Sequence, residues 1–366
     1  MITAYVPDVG DGLAAGIRTL ALCDMQIDCG SQNKPEAAFV KGLRRIDPDV
    51  FLLSHFHVDH YNGLFQWWRF RPLSFPRIEK VYFPRLPKFP QRENFLQCIL
   101  AMNHWLMGDT TGSMEADFLH IMRRINFRPF MWRRVSSGDR LHVGGAELEI
   151  LWPPQVIEEK RTLRVVDKAI SDFEKAMRQD ETLHRIYVSM RESDEMWPYV
   201  GDEEHGELPG RGDQPHDTCE FPTQVRELPD VVKRANVSLR KAANHLSLAL
   251  HEDNRFLFMG DLEAHEIREV TRDLLDRERD RFLVLITPHH GTHWHRDLGH
   301  LRAWWAISSV GEHLFGRVHP EFKLMAHQSL FTHLSGDIEV PFPFAWWHNT
   351  KPLGCLSSFM GTACFI

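Results

Sequence analysis

Apolar and polar residues alternate along this chain in short bursts, mostly the length of strands. Residues 2–7 and 17–27 predict two strands around the turn Asp8-Val9-Gly10-Asp11-Gly12, the second running into Ile27-Asp28-Cys29-Gly30-Ser31. Pro35 to Ile46 predicts a helix with Ala37, Val40 and Leu43 on one face. The run Val50-Phe51-Leu52-Leu53 is too short for an ordinary helix and suits a buried strand. Residues 87–127 are mostly helical in pattern, with Leu96, Ile99, Leu100 and Met107 at helical spacing. Residues 139–151 alternate around Gly144-Gly145, a hairpin signal.

The pattern changes between about 155 and 237. Residues 157–192 form a charged helical stretch. Residues 193–229 hold many Asp, Glu, Gly and Pro and little that could build a core, so they predict a long surface loop. Core-like runs return as strands at 247–250 and 255–259, a helix at 262–278, and strands at 282–287 and 306–310. No repeat of fixed period is present. Strands, helix, strands, insertion, strands, helix, strand is the order of an α/β chain with mixed sheets. The expected organisation is one domain over 1–366, with 155–237 inserted and 338–366 an aromatic C-terminal extension. In that extension, Pro341-Phe342-Pro343-Phe344-Ala345-Trp346-Trp347 is too apolar for a solvated tail.

Composition narrows this picture. With 366 residues, 43% of them hydrophobic, the chain can bury a full core. A net charge of −7 gives no global footprint for nucleic acid, although a local basic groove is compatible with it. No apolar run reaches the ~18–20 residues that span a bilayer, and MITAYVPDVGDG is not a secretory leader, so no membrane contact is expected. The six cysteines show no CxxC spacing and read as reduced thiols, which suits the cytoplasm. Histidine is the informative residue: there are 22, and many stand near acids.

Four potential metal ligands fall within six residues in Ser54-His55-Phe56-His57-Val58-Asp59-His60, directly after a buried strand. In extended or turn geometry alternate residues share a face, so His55 and His57 can converge on one ion while Asp59 and His60 reach a second. Imidazoles with a carboxylate suit zinc, and also manganese or iron. Gly260-Asp261 and Pro288-His289-His290-Gly291 each follow another apolar strand. An Asp at a strand end can bridge two ions, or cap the helix that follows. Three strand-end clusters of His and Asp point to one shared site. The patterns of helix-borne zinc proteases and zinc fingers are absent.

At these residues the chain resembles the metallo-β-lactamase superfamily. It is most similar to the soluble domain of bacterial competence DNA-uptake channels (ComEC-type). The resemblance rests on DVGDG, LCDMQIDCGS, SHFHVDHYNGL, GDRLHVGGAELEILWPP, NHLSLAL, FLFMGDLE, ITPHHGT and AISSVGEHLFGRVHPEF, and misses 155–237 and the last forty or so residues. It implies an αββα four-layer sandwich with two mixed β-sheets. It makes His55 and His57 ligands of one metal, Asp59, His60 and His290 ligands of the other, and Asp261 the bridge. His319 would sit at the edge of the site, to orient substrate or protonate the leaving group. Many superfamily members supply a third His to the first metal. Here that stretch reads Ala243-Asn244-His245-Leu246-Ser247, so either His245 or Asn244 faces the site.

The chemistry expected is metal-dependent hydrolysis. Two divalent ions, zinc or manganese, about 3.5–4 Å apart would share a hydroxide as nucleophile. Asp59 would bind metal and orient that nucleophile, with His319 as general acid. The first reading is a phosphodiesterase, a nuclease acting on nucleic acid or a nucleotide. Trp67-Trp68-Arg69-Phe70-Arg71, and the run from Arg123-Arg124 through Arg128 to Arg133-Arg134, supply its basic and aromatic contacts. A second reading is an ester, lactone or thioester hydrolase with its pocket capped by 155–237. A third is a non-catalytic binding or regulatory module acting through the acidic loop.

Overall fold

The structure is a computed structural model that describes residues 2–19, 23–67, 76–87, 94–108, 117–210 and 228–342. The first sheet contains β1 (Ile2–Val6), β2 (Gly12–Thr19), β3 (Met25–Ser31), β4 (Val50–Leu52), β5 (Lys80–Pro84), β6 (Phe130–Val135), β9 (His205–Leu208) and β15 (Ile338–Phe342). They run in the order β15-β1-β2-β3-β4-β5-β6-β9. The second contains β7 (Arg140–Val143), β8 (Ala146–Trp152), β10 (Ala249–Glu252), β11 (Phe256–Phe258), β12 (Arg281–Ile286), β13 (Arg302–Ser308) and β14 (Ala326–Phe331), ordered β14-β13-β12-β11-β10-β8-β7. Pairing is parallel from β3 to β6 and from β11 to β14, and antiparallel elsewhere, so both sheets are mixed.

The two-residue repeat of the strands sorts the apolar residues into layers. Val50 and Leu52 enter a core shared by both sheets, with Phe256 and Phe258 across from them. Phe51 and Leu53 point the other way, under the helices Phe95–Leu106, Phe118–Ile125, Lys160–Gln179, Glu181–Arg191 and Asp230–Asn244. On the far side Leu257 and Met259 pack with Ile267, Val270 and Leu274 of the helix Ala264–Asp276. Helices, sheet, sheet, helices: this is the αββα sandwich that the resemblance implied. Among the described residues no helix is long and apolar enough to cross a membrane.

Several elements depart from the apolar pattern for identifiable reasons. The run over 17–27 is the end of β2 and the start of β3. Thr19 Oγ1 donates to Cys23 O (2.9 Å) and Thr19 N to Asp24 Oδ1 (3.0 Å), so side-chain polar groups turn the chain where the apolar residues continue. Strand β6 is hidden in a basic stretch. Phe130 and Trp132 face inward, and Arg134 is buried behind them, donating to the carbonyls of Tyr199 (2.8 Å), Gly201 (2.6 Å) and Glu203. Arg133 pairs with Asp139, and Arg123 with Glu195 at 3.7 Å. Arg134 thus serves the fold, whereas Arg128 of the same run is exposed. Trp67 is core, and residues 68–71 of the other basic-aromatic patch lie outside the described residues.

The acidic stretch expected to be a loop contains helical segments at Asp194–Met196 and Trp197–Val200, followed by β9 on the edge of β6. Residues 211–227 of it lie outside the described residues. The aromatic extension begins as β15, paired antiparallel with β1, and puts Ile338 and Val340 into the inter-sheet core. Residues 343–366 lie outside the described residues.

Candidate metal centre

The chemistry-bearing residues gather where parallel strands end, the edge at which open α/β sheets place their sites. After β4 the chain alternates: Phe56 is buried in the helix-covered core, while the rings of His55 and His57 turn to the same side. His55 Nε2 lies 2.7 Å from His57 Nδ1. A 3-10 turn, Val58–His60, then brings Asp59 and His60 round. This turn presses against Gly30 so closely that a Cβ there would overlap the Asp59 carbonyl.

His60 is held from behind. Asp28, buried and in the left-handed region (φ 56°), accepts from Ser54 N (2.7 Å) and Ser54 Oγ (2.6 Å). Its Oδ2 lies 2.8 Å from His60 Nδ1. That fixes the imidazole with Nε2 forward, 3.5 Å from Asp261 Oδ2. Burial opposes charge on His60, yet the carboxylates of Asp28 and Asp261 raise its pKa well above the usual value.

Asp261 follows β11 through Gly260, whose φ is +46°. Only glycine fits, because a Cβ would collide with the Ser247 hydroxyl that accepts from Asp261 N (2.9 Å). After β12, His289 and His290 both adopt positive φ (46° and 58°), a strained pair of the kind found at binding sites. His290 Nδ1 is tied to Ser309 O (2.9 Å), leaving Nε2 3.8 Å from Asp261 Oδ2. Burial works against the Asp261 carboxylate, but His289, His290 and His60 around it hold it well below the usual range.

Ligand atoms of His55, His60 and Asp261, all buried, lie within 4.8 Å of one another. Burial pushes His55 and His57 well below the ordinary histidine value, so both rings are neutral with lone pairs to give. His57 Nε2 and Asp59 Oδ1 are buried without hydrogen-bond partners among the described residues. Orphaned buried polar atoms on residues that suit metal ligation fit a cation. The other Asp59 oxygen, Oδ2, accepts from Arg240 at 2.8 Å. Burial would raise this carboxyl, but Arg240, His60 and His57 hold it well below the usual range.

Two of the expected residues are not brought into this group. His245, at the end of the helix Asp230–Asn244, sets Nδ1 2.7 Å from buried Glu266 Oε1, and its buried Nε2 has no partner among the described residues. Its neighbour Asn244 faces the site instead. His319 is anchored next to the His290 loop by its backbone N–H to Gly291 O (2.8 Å). Its ring stacks on Trp294 (5.5 Å), with Nδ1 2.7 Å from Glu321 Oε2.

The site opens into a cavity of about 420 Å³. Arg240, Lys241 and Arg317 supply its cations, and Asn244, Glu263 and His293 also line it. Of these six the sequence analysis names only Asn244. Arg240, Lys241 and Asn244 share one helix face, which in the sequence reads as an ordinary solvated one. The available signal was a positional one: this face ends on the Asn-His-Leu-Ser run that precedes β10.

No family profile and no characterised protein matches the chain by sequence. Among solved structures it is similar to the metallo-β-lactamase fold protein YhfI from Bacillus subtilis, at 13% identity and a TM-score of 0.24, over 41% of this chain and 53% of that one. It is similar to MEM-A1, a subclass B3 metallo-β-lactamase from a soil metagenome library, at 21% identity and a TM-score of 0.24, over 42% and 51%. A long form RNase Z from yeast gives 11% identity and a TM-score of 0.26, over 92% and 41%. The chain thus spans about half the length of the first two structures it matches.

Proposed function

We propose that this protein is a divalent-metal-dependent phosphodiesterase of the metallo-β-lactamase superfamily. The observation that carries the reading is the buried convergence of His55, His60 and Asp261, with the orphaned atoms of His57 and Asp59 beside it. His55 and His57 would hold one cation, Asp59, His60 and His290 a second, and Asp261 would bridge them. Such a pair activates water and offsets charge developing on phosphate oxygens.

The rim favours a phosphodiester over a lactone or thioester. Arg240, Lys241 and Arg317 at the cavity can take the non-bridging oxygens of an anionic group. A neutral ester has no use for three cations there. Asp28 and Ser54 keep His60 oriented, the carboxylate–histidine support that metal ligands need. His319, set beside the His290 loop and paired with Glu321, would give its proton to the leaving oxygen.

The test is a substrate panel: bis-p-nitrophenyl phosphate, single- and double-stranded DNA, RNA and a lactone, each with and without chelator. Chelator-sensitive cleavage of a phosphodiester, abolished in His57→Ala and Asp261→Ala together with inner-site metal, is expected. Turnover of the lactone alone would overturn the phosphodiesterase reading. Full metal content in both variants would overturn the site. Within the active enzyme, His319→Ala should lower kcat by about 10²–10⁴-fold with a poor leaving group. It should cost far less with p-nitrophenolate, which departs without a proton; equal losses would remove His319 as the acid.

A further inference from the structure

Beside the buried group lies a second cluster whose atoms the proposed reaction does not use. Glu263, His289 and His293 each offer one ligand atom, all within 4.8 Å of one another, and each is about a quarter exposed to the cavity. His289 Nδ1 faces His293 Nδ1 at 2.9 Å, and Glu263 Oε2 lies 3.6 Å from His293 Nδ1. We propose that Glu263, His289 and His293 form a third cation site at the mouth of the cavity, suited to Zn²⁺ or another late first-row divalent ion.

Three features support a built site. The first is the way His289 is held: its Nε2 lies 3.8 Å from Asp261 Oδ2 while its Nδ1 points outward. At that separation the imidazole makes no hydrogen bond to Asp261, and Nδ1 is the atom it turns to His293. The second is Asn244, whose Nδ2 donates to Glu263 Oε1 (3.4 Å), leaving Oε2 for a ligand. The buried Oδ1 of Asn244, in the wall of the same cavity, finds no partner among the described residues. The third is the loop, where left-handed backbone at His289 and His290 splits two adjacent imidazoles between different groups. His290 turns inward through Ser309 O, and His289 turns toward His293.

Two imidazoles and one carboxylate select zinc-like ions over magnesium or calcium, and three protein ligands leave a position open to the cavity. An anionic oxygen of a substrate reaching past Lys241 and Arg317 could complete it. The alternative is that His293 Nδ1 donates to Leu262 O (3.3 Å) and the His289–His293 contact is a shared proton only.

The site does not depend on the hydrolase reading, and metal counting separates the two. The protein is equilibrated with buffered Zn²⁺ and its metal measured by elemental analysis, with circular dichroism as the folding control. Wild type is expected to hold three ions per chain. His293→Ala and Glu263→Gln should each lose one, and His57→Ala/His60→Ala should lose the inner pair and keep the outer ion. Co²⁺ added to that double variant should give the visible absorption of a low-coordinate site, lost when His293→Ala is added. Asn244→Ala should weaken the outer ion about 10–100-fold. Equal ion counts and affinities in wild type, His293→Ala and Glu263→Gln would overturn the third site while leaving the inner one standing.

Discussion

Arg240→Met removes the guanidinium paired with Asp59 and keeps the aliphatic stem. Arg240 Nη2 is 2.8 Å from Asp59 Oδ2, and the carboxylate is 7% exposed against 40% for the guanidinium. At an effective dielectric constant of 20 this separation corresponds to roughly 6 kcal/mol of gross attraction. Desolvation of the carboxylate and solvent around the arginine reduce the net term, so stranding Asp59 should destabilise the metal-free protein by about 1–3 kcal/mol. When cations occupy the site they neutralise Asp59 themselves, and the same substitution should cost much less.

A thermodynamic cycle turns this difference into a binding prediction. The penalty present without metal and absent with it must appear as tighter binding, at about 1.4 kcal/mol per tenfold in Kd. The Zn²⁺ Kd of the inner site in Arg240→Met should therefore fall by about fivefold to a hundredfold. Urea unfolding in chelator and in excess Zn²⁺ measures the two stabilities, and competition against a chromophoric chelator measures the Kd. Weaker Zn²⁺ binding, or equal loss of stability in both conditions, would refute the reasoning. Arg240 would then be positioning Asp59 for the ion, with no competition for its charge.

Two further predictions concern stability. Gly260→Ala forces a side chain into left-handed backbone and onto the Ser247 hydroxyl, and should lower unfolding stability by about 2–5 kcal/mol; an unchanged denaturation midpoint would show that the loop before Asp261 relaxes freely. Burial pushes Glu252 from the usual 4.5 up to about 7 despite its contact with Arg255, and the charge of nearby Asp253 adds to the rise, so the native state holds this proton more tightly than the unfolded chain. Its contribution is present below pH 4.5 and lost as pH rises through 7, by at most about 3 kcal/mol. Glu252→Gln should therefore gain stability relative to wild type between pH 5 and pH 8, and parallel pH profiles would refute this.

The proposed inner ligands were legible because four of them sit within six residues of one strand end. The ending of a buried strand fixes the direction of the next few side chains, so local spacing carries the geometry. Asp261 and His290 were legible for the same reason, each following an apolar strand. Asp28 was not, since a lone Asp in an apolar strand gives no sign that it supports His60 from the far side of β3. Within the basic run around β6, composition could not tell that Arg134 satisfies three backbone carbonyls while Arg128 stays exposed.

The choice between Asn244 and His245 shows where local reading stops. Neighbours on a helix point about 100° apart, so the rotation of Asp230–Asn244 decides which one faces the cavity. That rotation is set by Val232, Ala235, Leu239 and Ala242 packing toward the core, and by Glu266 on another helix, which takes His245. The same rotation carries Arg240 onto Asp59 and Asn244 onto Glu263. One helix orientation thus sets His245 against Glu266, places Arg240 on Asp59 and brings Asn244 to Glu263, three consequences that depend on packing between distant segments. Arg240→Met and Asn244→Ala read out two of them, one through the Zn²⁺ affinity of the proposed inner site and the other through that of the proposed outer site.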